Sequence, residues 1–265
     1  MEFSQALRER RTRSRLSQLD LAIRAGTTQR HISFMESGRS APGRSMVVRL
    51  AESLELPLRE RNGLLLSAGY APVYPETDLG DPALAAIRTA LDHILTGHLP
   101  YPAVVVDRHG DLVASNTAFT ALFGDVDPEL LAPPANVYRL ALHPRGIAPR
   151  ILNFAEWAVH ILERLNQETL RHPDERLAGL REELASYVPR SLPSAGHLGF
   201  AVPLRLRSEG GELRLITTVT TFATAVDVTV AELKLEAFLP ADDRTAAFLS
   251  GNLGPEGGSA GAGSR

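Results

Sequence analysis

Ser17-Gln-Leu-Asp-Leu-Ala-Ile-Arg-Ala-Gly-Thr-Thr-Gln-Arg-His-Ile-Ser-Phe-Met35 predicts two short helices that cross at a glycine turn. Ser17 is a good N-cap for a helix from Gln18 to Ala25, and Gly26 suits the left-handed position that stops it. Thr27 or Thr28 caps the next helix, which runs to about Met35. Ala22 is small enough for the two helices to cross closely, and Leu21, Ala25, Ile32 and Met35 face a shared core. That leaves Gln29, Arg30, Ser33 and Phe34 on the outer face. The stretch meets the spacing of a helix-turn-helix position by position, a stricter demand than two helices joined by a loop.

Working outward, Phe3 to Arg15 reads as a preceding helix, with Phe3 and Leu7 on its apolar side. Residues 37–42 form a loop, a fourth helix spans about Arg44 to Leu54, and Pro57 opens a fifth, Leu58 to Ala68. Residues 1–68 are thus a five-helix module, and the proline-rich stretch 69–82 is its linker. Charge divides the chain at the same place. Residues 1–75 carry 12 Arg against 7 acidic residues, a net of +5, and the remainder nets −8 within a total of −3. A polyanionic partner is expected for the first segment alone, because an acidic surface repels phosphate.

On these residues the segment of about 3–68 resembles the lambda-repressor-like, or XRE, DNA-binding domains. Gly26-Thr-Thr-Gln-Arg-His-Ile is similar to the start of the recognition helix in phage repressors of that type. The resemblance implies that Gln18 holds a phosphate and that Thr28, Gln29 and Arg30 lie at the major-groove edge of double-stranded DNA, with Thr27 and Ser33 as further DNA-binding residues. The chemistry agrees, since Gln pairs with adenine and Arg pairs bidentately with guanine. Arg39 and Arg44 are placed to hold backbone phosphates. Phe34 departs from the pattern: it stands where those repressors carry a polar base reader, so that contact either becomes apolar, as to a thymine methyl, or is lost. Arg11 and Glu36 match the family's buried ion pair, a structural feature. A module of this size makes few base contacts, so a homodimer on a pseudo-palindromic operator is expected.

The second segment, 83–250, opens with an amphipathic helix from Ala83 to Leu95. Strands follow at Pro102–Asp107 and Leu112–Ser115, and Asn116 caps a helix from Thr117 to Phe123 that stops at Gly124. Helices are expected at about 137–142, 148–171 and 174–187, then strands at 200–207, 212–222 and 232–239 and a short helix. The tail, 251–265, has nothing to bury and reads as disordered. The strand–turn–strand–helix opening resembles PAS-type sensor domains. Combined with the module before it, the whole resembles the MmyB-like regulators of bacteria. The fold class is then an all-α DNA-binding domain followed by an α+β PAS-like domain with an antiparallel sheet.

A small sheet covered on one side by helices leaves an apolar crevice between the layers, where a small molecule can bind. Phe119, Phe123, Phe154, Trp157, Phe200 and Phe222 are its expected walls, with Arg139, His143 and Arg145 as partners for an anionic head group. The expected effector is a small apolar molecule such as a fatty acid. The competing reading is a filled core that serves only dimerisation or protein contacts.

The absence of cysteine excludes thiolate zinc sites, cysteine nucleophiles and disulfides. Eight scattered histidines show no metal-ligand spacing, and no nucleophile elbow or phosphate loop occurs. No catalytic residue, metal site or cofactor is therefore expected. No apolar run is long enough to span a bilayer, and the expected location is the bacterial cytoplasm, associated with the nucleoid when bound to DNA.

Overall fold

A computed structural model describes residues 2–123, 126–188 and 202–252. The chain divides into two compact units, Met1–Asp78 with Ala223–Ala231, and Leu79–Phe222 with Glu232–Arg265. The expected ends at Gly124 and Phe200, and the tail from 253 onward, lie outside the described residues.

The first unit holds five helices: α1 (Phe3–Arg13), α2 (Gln18–Arg24), α3 (Gln29–Glu36), α4 (Arg44–Ser53) and α5 (Leu58–Ser67). Their starts follow the capping chemistry. Ser17 and Asp20 form a reciprocal capping box on α2, and Thr28, not Thr27, caps α3 by accepting from the His31 amide at 3.2 Å. Gly26 takes φ +61° in the turn between them, a conformation that costs a side-chain-bearing residue energy. Leu7, Leu21, Ile32, Met35, Val47, Leu50 and Leu64 are fully buried together. Each contributes about 1.5–3 kcal/mol of burial, so this core, not the short helices themselves, fixes the geometry of α2 and α3.

The second unit starts with a 3₁₀ turn, Pro82–Leu84, leading into α6 (Ala85–Gly97), followed by β1 (Ala103–Val106), β2 (Leu112–Ser115) and α7 (Thr117–Phe123). Next come α8 (Pro128–Leu131), α9 (Val137–Leu142), α10 (Phe154–Arg171), α11 (Glu175–Ser186), β3 (Leu204–Ser208) and β4 (Gly211–Thr221). The chain continues through α12 (Val228–Glu232), β5 (Lys234–Pro240) and α13 (Asp243–Asn252). The strands form one antiparallel sheet in the order β2-β1-β5-β4-β3. Buried Asn116 ties its start together: its Oδ1 accepts from the amides of Ala103 and Phe119, and its Nδ2 donates to the carbonyls of Leu95 and Tyr101.

Two expectations need correction. The sheet is not covered on one side only. Val104 and Val106 enter the large core with α7, α9, α10 and α11, while the alternate residues Ala103 and Val105 pack with Leu91 and Leu95 of α6. The span 148–171 is not one helix either. Ile151 bridges Leu206 of β3, the Leu152 amide donates to the Arg205 carbonyl at 2.8 Å, and Asn153 bonds both Pro203 and Arg205. A 3₁₀ turn at Ala148–Arg150 and these bonds at 151–153 separate the chain from α10, which begins at Phe154.

Residues 223–231 group with the first unit through buried Asp227. Its carboxylate accepts from the Thr77 amide at 3.1 Å and caps α12 at the Thr229 amide, 2.9 Å, and the Val228 amide donates to the Pro75 carbonyl at 2.8 Å.

Candidate nucleic-acid interface and ligand cavity

The buried face of α3 leaves its other side in solvent. Thr28, Gln29 and Arg30 are exposed at its start, with Ser33 and Phe34 half-buried beyond them, and Arg39 and Arg44 are exposed on the following loop and α4. Thr27 packs its hydroxyl 3.0 Å from His31 Nδ1, so Thr27 supports the helix start. α4 opens at Gly43 with no side-chain cap, leaving its first amides without a side-chain acceptor beside Arg44.

Gln18 is placed differently from the expectation. Its amide nitrogen donates to Glu36 Oε2 at 2.8 Å, and Arg11 holds the same carboxylate with two bonds of 2.6 and 2.9 Å. The side chain expected on a phosphate is thus engaged in the ion pair that joins α1, α2 and α3. Burial pushes the Glu36 carboxyl up, but the bonds from Arg11 and Gln18 outweigh it and hold its pKa below the usual glutamate value. Arg13 pairs with Glu60.

Phe34 does something the sequence did not suggest. The guanidinium of Arg30 sits 5.1 Å from its ring centroid and that of Arg39 sits 5.9 Å away. Both distances fall within cation–π range, so the ring is a platform between a recognition-helix arginine and a loop arginine.

In the second unit a cavity of about 230 Å³ lies between α7, α9, α10 and the β4–β5 part of the sheet. Of the expected walls, Phe119, Phe123 and Trp157 line it. Phe238 completes the aromatic wall, its ring 5.7 Å from that of Phe123, which is 4.3 Å from that of Phe119. Val137, Leu140, Ile147 and Ile161 supply further apolar surface. Phe154 packs against the large core away from the lining, and Phe222 packs against the smaller core under α6. Phe200 lies outside the described residues.

The expected anionic-group partners do not line the cavity either, and each has an acidic or aromatic neighbour instead. Arg139 makes two bonds of 2.7 Å with Glu183, Arg145 pairs with Asp127 at 2.6 Å and Glu129 at 3.0 Å, and the His143 ring stands edge-on to Tyr187. The cavity's own polar side comes from residues that sequence reasoning missed. Arg164 Nη2 donates to Glu236 Oε1 at 2.7 Å and to the Tyr138 hydroxyl at 3.1 Å, and its guanidinium lies 5.3 Å from the Tyr138 ring. Burial, then the adjacent Glu236 charge, pushes the Tyr138 phenol up to about 12, so it stays protonated. Trp157 Nε1 and Thr217 Oγ1 are buried with no hydrogen-bond partner among the described residues.

A signal for this set existed. Glu236 is a lone charge inside the apolar strand Leu235–Leu239, and Arg164 lies seven residues after Trp157, on the same face of α10. The described residues hold no cluster of ligands suited to a metal ion, and no described helix is long and apolar enough to cross a membrane.

Residues 87–250 match the model of the MmyB-like transcription regulator ligand binding domain, and residues 2–64 match that of a helix-turn-helix domain. No curated protein matches. A solved structure described as an RNA-binding light-oxygen-voltage receptor is 14% identical over 94% of this chain, with a TM-score of 0.25. The chain spans 63% of that structure's length.

Proposed function

The chain belongs to the MmyB-like transcription regulators, DNA-binding proteins with a ligand-binding domain, and on that premise we propose that it reads a pseudo-palindromic operator as a homodimer whose affinity depends on a small apolar effector. One observation carries the DNA half: a fully buried α2–α3 core presents Thr28, Gln29 and Arg30 in solvent with Arg39 and Arg44 flanking them. Gln29 and Arg30 have the donors and acceptors to read base edges, and Arg44 beside the uncapped α4 start suits a phosphate. The aromatic cavity supports the effector half, with a small, mostly apolar molecule carrying an acyl-like chain filling it. Such a regulator works in the cytoplasm, at the nucleoid when bound.

The test is to select duplexes from a randomised pool with the full chain and to measure binding by fluorescence anisotropy. A two-fold-symmetric preferred sequence, bound by a species that sediments as a dimer, supports the proposal. Equal affinity for every duplex, or a monomer on a single half-site, overturns it.

A further inference from the structure

We propose that the cavity selects an apolar molecule whose polar group is an uncharged hydrogen-bond acceptor, such as an amide, ester or lactone carbonyl, and rejects a carboxylate. This deepens the proposed cavity-binding reading and rests on it.

Among the described residues the lining holds one arginine and one glutamate, already bonded to each other at 2.7 Å, with Tyr138 and His160 as its other titratable groups, so the arginine leaves no surplus positive charge for a ligand. Glu236 is only 6% exposed in its side chain. A ligand carboxylate that took Arg164 would leave Glu236 buried and uncompensated, and the two anions would face each other across the cavity. The arginines outside the lining cannot help, because Arg139 and Arg145 are bound to surface acids.

The unmet groups call for a neutral partner instead. Trp157 is 5% exposed, and its indole N–H can only donate. A buried donor without a partner is costly, and an acceptor arriving with a ligand removes that cost. Thr217, across on β4, adds a second buried group without a partner among the described residues, its hydroxyl. A carbonyl oxygen takes a bond from either donor and carries no charge to set against Glu236.

Trp157 is the chain's only tryptophan, so its fluorescence reports on the cavity alone. Delipidated full-length protein is titrated at pH 8 with octanamide, methyl octanoate and octanoate, following Trp157 emission and the melting temperature. The expected result is at least tenfold tighter binding of the amide and ester than of octanoate, with Glu236→Gln reversing the order by releasing Arg164. Octanoate binding as tightly as octanamide overturns the proposal while leaving the cavity-binding reading intact. If none of the three shifts the emission or the melting temperature, the cavity-binding reading fails and the proposal falls with it. The comparison within the parent protein decides the matter even if Glu236→Gln does not fold.

Discussion

Replacing Phe34 by leucine separates two roles that its position on α3 allows. If the side chain touches a thymine methyl, leucine serves nearly as well. If the ring holds Arg30 and Arg39, at 5.1 and 5.9 Å, leucine loses both contacts while tyrosine keeps them. Both arginines are exposed, so each contact belongs at the weaker end of cation–π energies, about 0.5–1 kcal/mol. Losing two therefore costs about 1–2 kcal/mol, or roughly 5- to 30-fold in Kd. Anisotropy titrations on the selected duplex should show Phe34→Leu weakened by that factor and Phe34→Tyr near the parent. The salt dependence should fall by no more than one phosphate contact, that of Arg39. Phe34→Leu binding like the parent would refute the platform reasoning and restore the methyl contact.

Arg30→Ala should cost about 1–3 kcal/mol at the preferred duplex and relax base choice at one position, whereas Arg44→Ala should weaken all duplexes alike; a binding-selection profile of each variant checks this. Glu36, held below its usual pKa once Arg11 and Gln18 outweigh burial, adds stability that is complete above the unfolded glutamate pKa and lost as pH falls through the folded one. Acid melts should accordingly show the first unit weakening below about pH 4.3. Glu36→Gln, which strands the largely buried Arg11, should cost about 3–5 kcal/mol in denaturant unfolding at neutral pH. Gly110→Ala meets both a φ of +82° and the Tyr138 ring, into which the added carbon would run. It should destabilise the second unit by at least about 1–3 kcal/mol and alter Trp157 emission.

The helix-turn-helix was legible because its demands are local: a small Ala22, a left-handed Gly26 and apolar residues at helical spacing. The role of Phe34 was not, since it depends on where the loop after α3 returns Arg39. The same division holds in the second unit. Phe119, Phe123 and Trp157 could be named as walls because large aromatics beside buried strands have few other places to go. The polar side could not, because Arg164 and Glu236 are 72 residues apart and meet only when α10 packs on β5. Arg139 and Arg145 misled for the converse reason: Glu183 and Asp127, 44 and 18 residues away, neutralise them. Composition shows which charges exist, and only packing shows which are already spent on one another.

For occupancy of the second unit to change DNA affinity, the ligand must bind the DNA-competent and incompetent arrangements differently. That coupling is tested most directly by measuring the Kd of the full chain for its selected duplex before and after delipidation, with native mass spectrometry recording what leaves. A small apolar molecule should be released and the Kd should shift by about fivefold or more. A protein that carries nothing, or one whose Kd is the same full and emptied, would contradict it.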